Sequence, residues 1–451
     1  MKRAVVFLLA GLLGGPACVA RAANADRQVV LITIDGFPAY LWRDQSIPLP
    51  NLRRLAAAGV VADALTIVNP SITWPNHTTL VTGVEPRKHG VLYNGLVTRQ
   101  GPGRPTKTEQ WADKARLVRV PTVYDAAFQA GLTTAEVDWV AVSHPGTITW
   151  SFAERPDPAG VVAREMVAAG VATQAEIDFG AKANIVSRDE LWTRAGSFIF
   201  AHHHPNLLLF HLLNTDSTHH RYGPGSLASI SALALADQRV GELLRAIDAS
   251  GRRAQTTILV TTDHGFKQVE HFIYPNVALK QAGLLHAAGA GLAQCDAYVG
   301  AQGGIAFVYI TDPARRAELL PRLRELFTRT EGVAQVLDGA DAPQLGMPTP
   351  GENEAMGDLI LYPQAGFAFT GTATGDIVHG PSINYGGTHG YPASDPELDG
   401  IFLAQGAGIK SGLKLDRVRN LDVAPTIARL LGVALPTADG HVLEQMLAPA
   451  K

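Results

Sequence analysis

Apolar residues fall along this chain in short, nearly unbroken runs that end in polar or glycine residues. QVVLITI over 28–34 closes on Asp35-Gly36. NLLLFHLL over 206–213 closes on Asn214-Thr215-Asp216, and TTILVTT over 256–262 on Asp263-His264-Gly265. Continuous runs of this length predict strands buried on both faces. TTAEVDWV at 133–140 predicts another strand. Between these runs the pattern becomes helical. NLRRLAAAGV at 51–60 closes on Gly59, residues 121–131 open with Pro121 and end at Gly131, and 227–247 reads as one long helix. Strands alternating with helices predict an α/β fold, a mostly parallel central sheet with helices on both faces.

Two stretches fit this alternation less well. Residues 143–200 are rich in proline and then polar, as expected of a segment covering a site. Residues 276–385 hold a strand-like IAFVYI (305–310), a helix at 313–328 and a Gly/Pro-rich tail at 339–383. They read as a subdomain inserted, at about 276–385, into one catalytic domain over 23–451. The α/β pattern returns at 400–433.

Composition narrows the function. With 46% hydrophobic and 18% charged residues the chain is neither disordered nor a coiled coil. A formal net charge of −3 provides no basic field for a nucleic-acid duplex. Residues 1–22 run from basic (Lys2, Arg3) through apolar to Ala20-Arg21-Ala22, the order of a cleaved signal peptide. Its removal takes Lys2, Arg3 and Arg21 and leaves −6. The mature chain is then expected in the periplasm or outside the cell, with no membrane span. Lipid anchoring through Cys18 is disfavoured, because Gly15-Pro16-Ala17 is a poor signal for it. Of the two cysteines only Cys295 would remain, so any metal site must use His, Asp and Glu.

Those residues fall at strand ends, where open α/β sheets bind ligands. Asp35, Asp216 and Asp263 each follow an apolar run. His264 adjoins Asp263, His220 lies four residues after Asp216, and His389 sits in a glycine-flanked turn. A lone Asp after a strand is ordinarily a helix cap, and an Asp-His pair can be a capped turn. Three Asp with three His form a set that suits two divalent ions, zinc foremost. His202-His203-His204 reads as a solvated cluster, and His77, His89, His211, His219 and His379 as packing or supporting groups. Two metals suit phosphoryl transfer, in which attacking and leaving oxygens both carry charge. Thr73, in PSITWPNHTTLVTG (70–83), stands in a turn just before a helix and is the candidate nucleophile. Asn76 and Asn94 could donate to a phosphoryl oxygen; Asn76 suits a turn-holding role, and Asn94 a freer loop. Helix capping by Thr73 and an ordinary turn at Asn94 remain open on spacing alone.

The motifs IDGF (34–37), PSITWPNHTTLVTG, EPRKHGVLYNG (85–95), DSTHHRYGP (216–224), TDHGF (262–266) and THGY (388–391) occur in the order of a known family. PELDGIFLAQG (396–406) and LDVAPTIARLLG (421–432) extend the match over nearly the whole chain. The sequence resembles the alkaline phosphatase superfamily and, within it, the nucleotide pyrophosphatase/phosphodiesterase family. That resemblance implies two zinc ions, one held by Asp35, Thr73, Asp263 and His264, the other by Asp216, His220 and His389. It implies Thr73 as nucleophile, Asn94 as the oxygen-binding amide and a phosphothreonine intermediate. His219 stands where the family usually has Gly, and Trp74 where it more often has Phe. One domain with an insertion then fits better than the three that 451 residues suggest.

The implied activity is hydrolysis of a phosphodiester or pyrophosphate bond in a small molecule such as a nucleotide. The sulfatase pattern around the nucleophile is missing. A phosphomonoesterase or phosphonate hydrolase on the same centre is the alternative and would gain if two of Arg104, Lys107, Lys114 and Arg155 reached the site. A non-catalytic binding protein is a remote one. Specificity is expected in 95–120, 143–200 and 276–385, with Trp74, Tyr93, Trp139, Trp150 and Tyr222 as candidate stacking surfaces.

Overall fold

The computed structural model describes residues 23–288 and 291–449. The expected signal peptide, with Cys18, lies outside the described residues. An eight-stranded sheet forms the centre, in the order Leu413–Arg419, Val60–Thr66, Phe402–Gly406, Thr256–Thr261, Gln28–Ile34, Leu207–Leu212, Thr134–Val137 and Trp150–Phe152. Only Phe402–Gly406 runs antiparallel to its neighbours. This is the predicted α/β class. Val60–Thr66 and Trp150–Phe152 were not legible as strands, since the first is interrupted by Asp63 and the second is only three residues long.

The central strands are apolar throughout because both faces are buried. Val30, Ile32 and Ile34 enter one core with Leu208, Phe210, Ile258 and Val260. Val29 and Leu31 enter the other with Leu207, Leu209 and Leu259. A period of two thus feeds two cores from one run. Helices Pro50–Ala58, Ile185–His203 and Leu227–Ala249 close the first core; Thr73–Thr82, Val123–Gln129 and Val423–Leu431 close the second. The 19-residue helix Ile185–His203 lies in the stretch that looked merely polar. It buries Leu191, Trp192 and Ile199 on one side.

A second, antiparallel sheet has the order Ala297–Gln302, Ile305–Ile310, Leu359–Pro363, Val333–Asp338. Its faces also separate by alternation. Ala306, Val308 and Ile310 pack with Leu319, Leu323 and Phe327 of helix Arg316–Thr328. Ile305, Phe307 and Tyr309 pack with Ile72, Leu92 and Tyr93, so this sheet supports the segment leading into Thr73. Cys295 is a free thiol buried in the former core. Among the described residues no helix is long and apolar enough to cross a membrane.

Two backbones approach closely beside Asp263-His264. Gly265 N–H donates to Leu398 O at 2.8 Å. A Cβ at Gly265 would stand 2.1 Å from Glu397 O and 2.7 Å from Leu398 Cα. Gly265→Ala is therefore expected to lower the unfolding free energy by ~1–3 kcal/mol, the usual range for overpacking. An unchanged urea midpoint would contradict this close approach.

Candidate metal centre and adjoining cavity

Strand register carries the polar residues to one level. Thr33 pairs with Thr261 on one side and His211 on the other. Asp35 and Asp263, two residues further along their chains, therefore meet at the carboxyl edge. Thr33 and Asp35 continue the face of Val29 and Leu31, which helix Thr73–Thr82 covers. All ten residues of that helix are buried. The helix begins at Thr73 itself instead of after a turn containing it. Asn76 fixes the entry: its Oδ1 accepts from Val68 N–H at 3.0 Å, and its Nδ2 donates to Pro70 O and Ile72 O at 3.0 Å each. Asp216 and His220 lie one turn apart on helix Asn214–Tyr222. Gly387–Thr388 pairs antiparallel with Lys267–Gln268, which returns the chain beside Asp263-His264. The His389 ring consequently stacks on that of His264 at 3.7 Å.

Each of three imidazoles is aimed by a backbone carbonyl. His264 Nδ1 lies 3.1 Å from Gly265 O, His220 Nδ1 3.0 Å from Gly387 O, and His389 Nδ1 2.8 Å from Ser71 O. A carbonyl only accepts, so Nδ1 carries the hydrogen and Nε2 presents its lone pair. Those lone pairs face oxygens. His264 Nε2 is 3.3 Å from Thr73 Oγ1, 3.4 Å from Asp35 Oδ1 and 3.3 Å from Asp263 Oδ2. Asp216 Oδ1 is 3.4 Å from His220 Nε2 and 3.7 Å from His389 Nε2. Among the described residues these three carboxylate oxygens are buried without a hydrogen-bond partner. Asp216, His220 and His389 form one group of suitable geometry for a cation; Asp35, Asp216 and His264 form another.

The other oxygen of two carboxylates is occupied. Asp263 Oδ1 accepts from Gly36 N–H at 3.1 Å, His264 N–H at 3.0 Å and the Thr262 hydroxyl at 3.3 Å. Asp35 Oδ2 meets His211 Nε2 at 3.2 Å. Neither residue caps a following helix. Burial, and then repulsion from Asp263 and Asp216, pushes the Asp35 carboxyl well above the usual range. Burial also raises Asp216 and lowers His264 to about 3. Burial would lower His211 as well, but the carboxylates of Asp138 and Asp35 outweigh it and hold that imidazole well above its ordinary value.

The pocket over this cluster, about 260 Å³, is lined by Asp35, Thr73, Asn94, Asp216, His220 and His389, with Trp74, Trp111, Asp138, Arg155 and His211. Asn94 Oδ1 accepts from Trp74 N–H at 3.0 Å, which leaves its amide N–H groups for the pocket. Trp74, Trp111 and Arg155 also line a neighbouring cavity of about 620 Å³, with Trp139, Val142, Trp150 and Phe152 among its walls.

Of the other sequence candidates, Arg155 lines both spaces and Trp139 the larger one, and most of the rest lie elsewhere. Lys107 is exposed, Lys114 pairs with Asp125, and Arg104 does not line the pocket. Arg155 lies over the Trp111 ring. Tyr93 is buried against Tyr309, Trp139 packs on His77, and Tyr222 projects into solvent. His203 pairs with Glu165. His379 is a surface residue near Glu331 and packs against nothing at the site. Trp111 and Asp138 were missed: one lies in a polar loop, the other just beyond the end of a strand.

A sheet of this topology, with Asp and His residues gathered at its carboxyl edge beside a buried threonine, defines a hydrolase of the alkaline phosphatase superfamily. The family model for type I phosphodiesterase / nucleotide pyrophosphatase matches residues 29–392. The chain belongs to that family of phosphodiesterase and nucleotide pyrophosphatase enzymes. It is 24% identical over 465 aligned residues to ectonucleotide pyrophosphatase/phosphodiesterase family member 7 of Rattus norvegicus, covering 99% of this chain and 94% of the relative. It is 21% identical to the bis(5'-adenosyl)-triphosphatase of Bos taurus, over 96% of this chain and 84% of that one. The fold is similar to human ectonucleotide pyrophosphatase/phosphodiesterase 5, with a TM-score of 0.71 at 18% identity, 93% of this chain and 100% of that chain. The murine protein 5, in an inactive form in complex with AMP, has a TM-score of 0.71 at 17% identity over 94% of this chain and 100% of that chain.

Glu136 carries a pH effect in the cavity wall. Burial pushes its carboxyl up to about 7, against hydrogen bonds from the Ser151 hydroxyl and Trp139 N–H. The fold thus favours the protonated form. The stability this gives is fully present below the unfolded value of 4.5 and is lost as pH rises through 7. Between pH 5 and 8, wild type should lose ~2–3 kcal/mol more stability than Glu136→Gln. Parallel urea unfolding curves at the two pH values check this; an equal loss in both proteins would refute it.

Proposed function

We propose that this protein hydrolyses phosphodiester or pyrophosphate bonds, in nucleotides or related diesters, with two zinc ions and Thr73 as nucleophile, and that it is exported to the periplasm or secreted. One observation carries the metal centre: three buried carboxylate oxygens without hydrogen bonds face three imidazole Nε2 lone pairs. Lone pairs facing lone pairs repel, and a divalent cation between them turns each contact into coordination. Donors limited to nitrogen and oxygen suit zinc. Asp35, Thr73, Asp263 and His264 would hold one ion, and Asp216, His220 and His389 the other. Bound there, the ions would supply Lewis acidity to phosphoryl oxygens and make hydroxyl and water stronger nucleophiles.

The chain's own groups do the rest. Thr73 Oγ1 attacks phosphorus as the leaving oxygen departs, forming a phosphothreonine ester. Water then attacks the same phosphorus and displaces Thr73 Oγ1. The Asn94 amide, held by Trp74 N–H through its Oδ1, donates to a non-bridging oxygen as charge develops there. The N-terminus of helix Thr73–Thr82 favours the same charge. The large cavity beside the pocket offers space for a second ester substituent, and only Arg155 among the four candidate cations lines the pocket. Both features support a diester over a phosphate monoester. The AMP complex of the murine relative and the name of the bovine relative support nucleotides. The chain reads as a catalytic domain over 23–451 with an insertion at about 276–385, a reading supported by the separate antiparallel sheet there.

Thr73→Ala should abolish turnover of a p-nitrophenyl phosphodiester, at least ~1000-fold in kcat, while zinc stays near two per chain. Undiminished turnover would remove Thr73 from its role. Asp263→Asn should lose metal and activity together, as measured by elemental analysis and rate. In wild type, kcat/KM for a diester should exceed that for the corresponding monoester at equal pH; the reverse order would assign a phosphomonoesterase or phosphonate hydrolase.

A further inference from the structure

The metal reading leaves His211 and Asp138 without a role, although both line the pocket. His211 is 1% exposed and stands in the middle of the central sheet, paired in register with Thr33. Both ring nitrogens face oxygen. Nε2 lies 3.2 Å from Asp35 Oδ2. Nδ1 lies 3.0 Å from the carbonyl oxygen of Asp138 and 3.1 Å from its Oδ2. Asp138 is also 1% exposed, and its φ of +57° is a left-handed conformation that residues other than glycine seldom adopt. That conformation brings its carbonyl and its carboxylate to the same imidazole nitrogen. A strained residue at a site edge, spent on holding one buried ring, points to a positional demand on that ring.

The demand is visible in how the two carboxylates at the Thr73 side are aimed. Asp263 has one oxygen taken by two backbone N–H groups and a hydroxyl, which leaves Oδ2 toward the cluster. Among the described residues Asp35 receives no backbone donor of this kind, and His211 alone takes up its Oδ2. We propose that His211, anchored by Asp138, is the positioning residue that makes Asp35 a one-oxygen ligand, leaving Oδ1 for the cation. A core histidine that merely filled space would not need both nitrogens on carboxylate-bearing residues. The neighbouring His77 shows the alternative. It packs on the His211 ring at 4.6 Å and gives its nitrogens to Thr33 Oγ1 and Thr73 O, tying helix to strand; only Nδ1 comes near a carboxylate, Asp263 Oδ2 at 3.5 Å. The inference rests on the metal reading above and goes beyond it by naming what orients one ligand.

The test compares zinc retention in full-length wild type, His211→Phe, His211→Gln and Asp138→Asn, equilibrated against a graded zinc chelator, with thermal melting of each metal-free protein as control. His211→Phe keeps the ring volume and loses the donor. It should weaken one zinc by ~10–100-fold, the usual effect of removing the partner of a metal ligand, and leave the zinc at Asp216, His220 and His389 in place. The stoichiometry should pass through one, with no direct fall from two to zero. His211→Gln restores an N–H donor and should recover part of the loss. Asp138→Asn keeps the carbonyl and should show a smaller loss at the same site. Two zinc ions in His211→Phe with an unchanged chelator midpoint would overturn the inference while leaving the metal centre intact. Simultaneous loss of both ions would assign His211 a general structural role and also overturn it. Wild type without zinc would instead refute the metal centre itself. If His211→Phe does not fold, Asp138→Asn decides: an unchanged midpoint there overturns the inference.

Discussion

The constraint on which the structure turns is the burial of three carboxylates, each with one oxygen left without a hydrogen bond. Removing such a group from water costs several kcal/mol unless it is compensated. Nothing in the two hydrophobic cores compensates it. Asp35 and Asp263 are fully buried and Asp216 nearly so, and their free oxygens point at imidazole lone pairs instead of donors. The fold accepts this arrangement because Asp35 and Asp263 sit just past central strands and Asp216 in the first turn of the helix that follows one, so none of the three can withdraw to solvent. The sheet thus supplies rigidity, and the cluster stays poised for positive charge.

The same economy explains why both sheets are needed. The central sheet sets the level of Asp35 and Asp263 through register with Thr33 and Thr261. It does not reach Thr73 or His389. Thr73 is placed by a helix whose entry leans on the second sheet through Ile72, Leu92 and Phe307. His389 is placed by a short strand returning along Lys267–Gln268. Its Nδ1 bonds to Ser71 O, two residues before Thr73, so the returning strand and the Thr73 helix fix one another.

Much of this was legible in the sequence, for physical reasons. Continuous apolar runs announce strands buried on two faces, and the polar residues that end them must lie at the sheet edge. Asp35, Asp216, Asp263 and His264 were visible on that basis. His220 was visible from the helical spacing to Asp216. His389 was visible from its glycine-flanked turn, Gly387-Thr388-His389-Gly390, although nothing local shows that this turn returns to the centre from over a hundred residues away. The helix Ile185–His203 and the strand Val60–Thr66 were missed because partners elsewhere, not local propensity, make them regular. Asp138 could not have been found, since its left-handed backbone violates local preference. His211 had a signal of its own. It interrupts an apolar run at the position that faces the same core as Leu207 and Leu209, where a polar residue needs a partner.

The centre and the cavity beside it are built from different kinds of structure. Every group at the centre is fixed by strand register, a helix start or a hydrogen bond to backbone, so small changes there misplace a ligand. The 620 Å³ cavity is walled mainly by the connection from Trp139 to Ala163, with Trp111 and Trp74 across from it. That connection includes the edge strand Trp150–Phe152, which pairs on one side only, and it packs by side-chain contact more than by ladder bonds. Its walls can change in size and polarity without shifting Asp35, because the edge strand is separated from Gln28–Ile34 by two other strands. Substrate choice can therefore vary at the sheet edge while the chemistry stays fixed at its centre. Trp74, adjacent to Thr73 and lining both spaces, is the residue through which a change in one would be felt in the other.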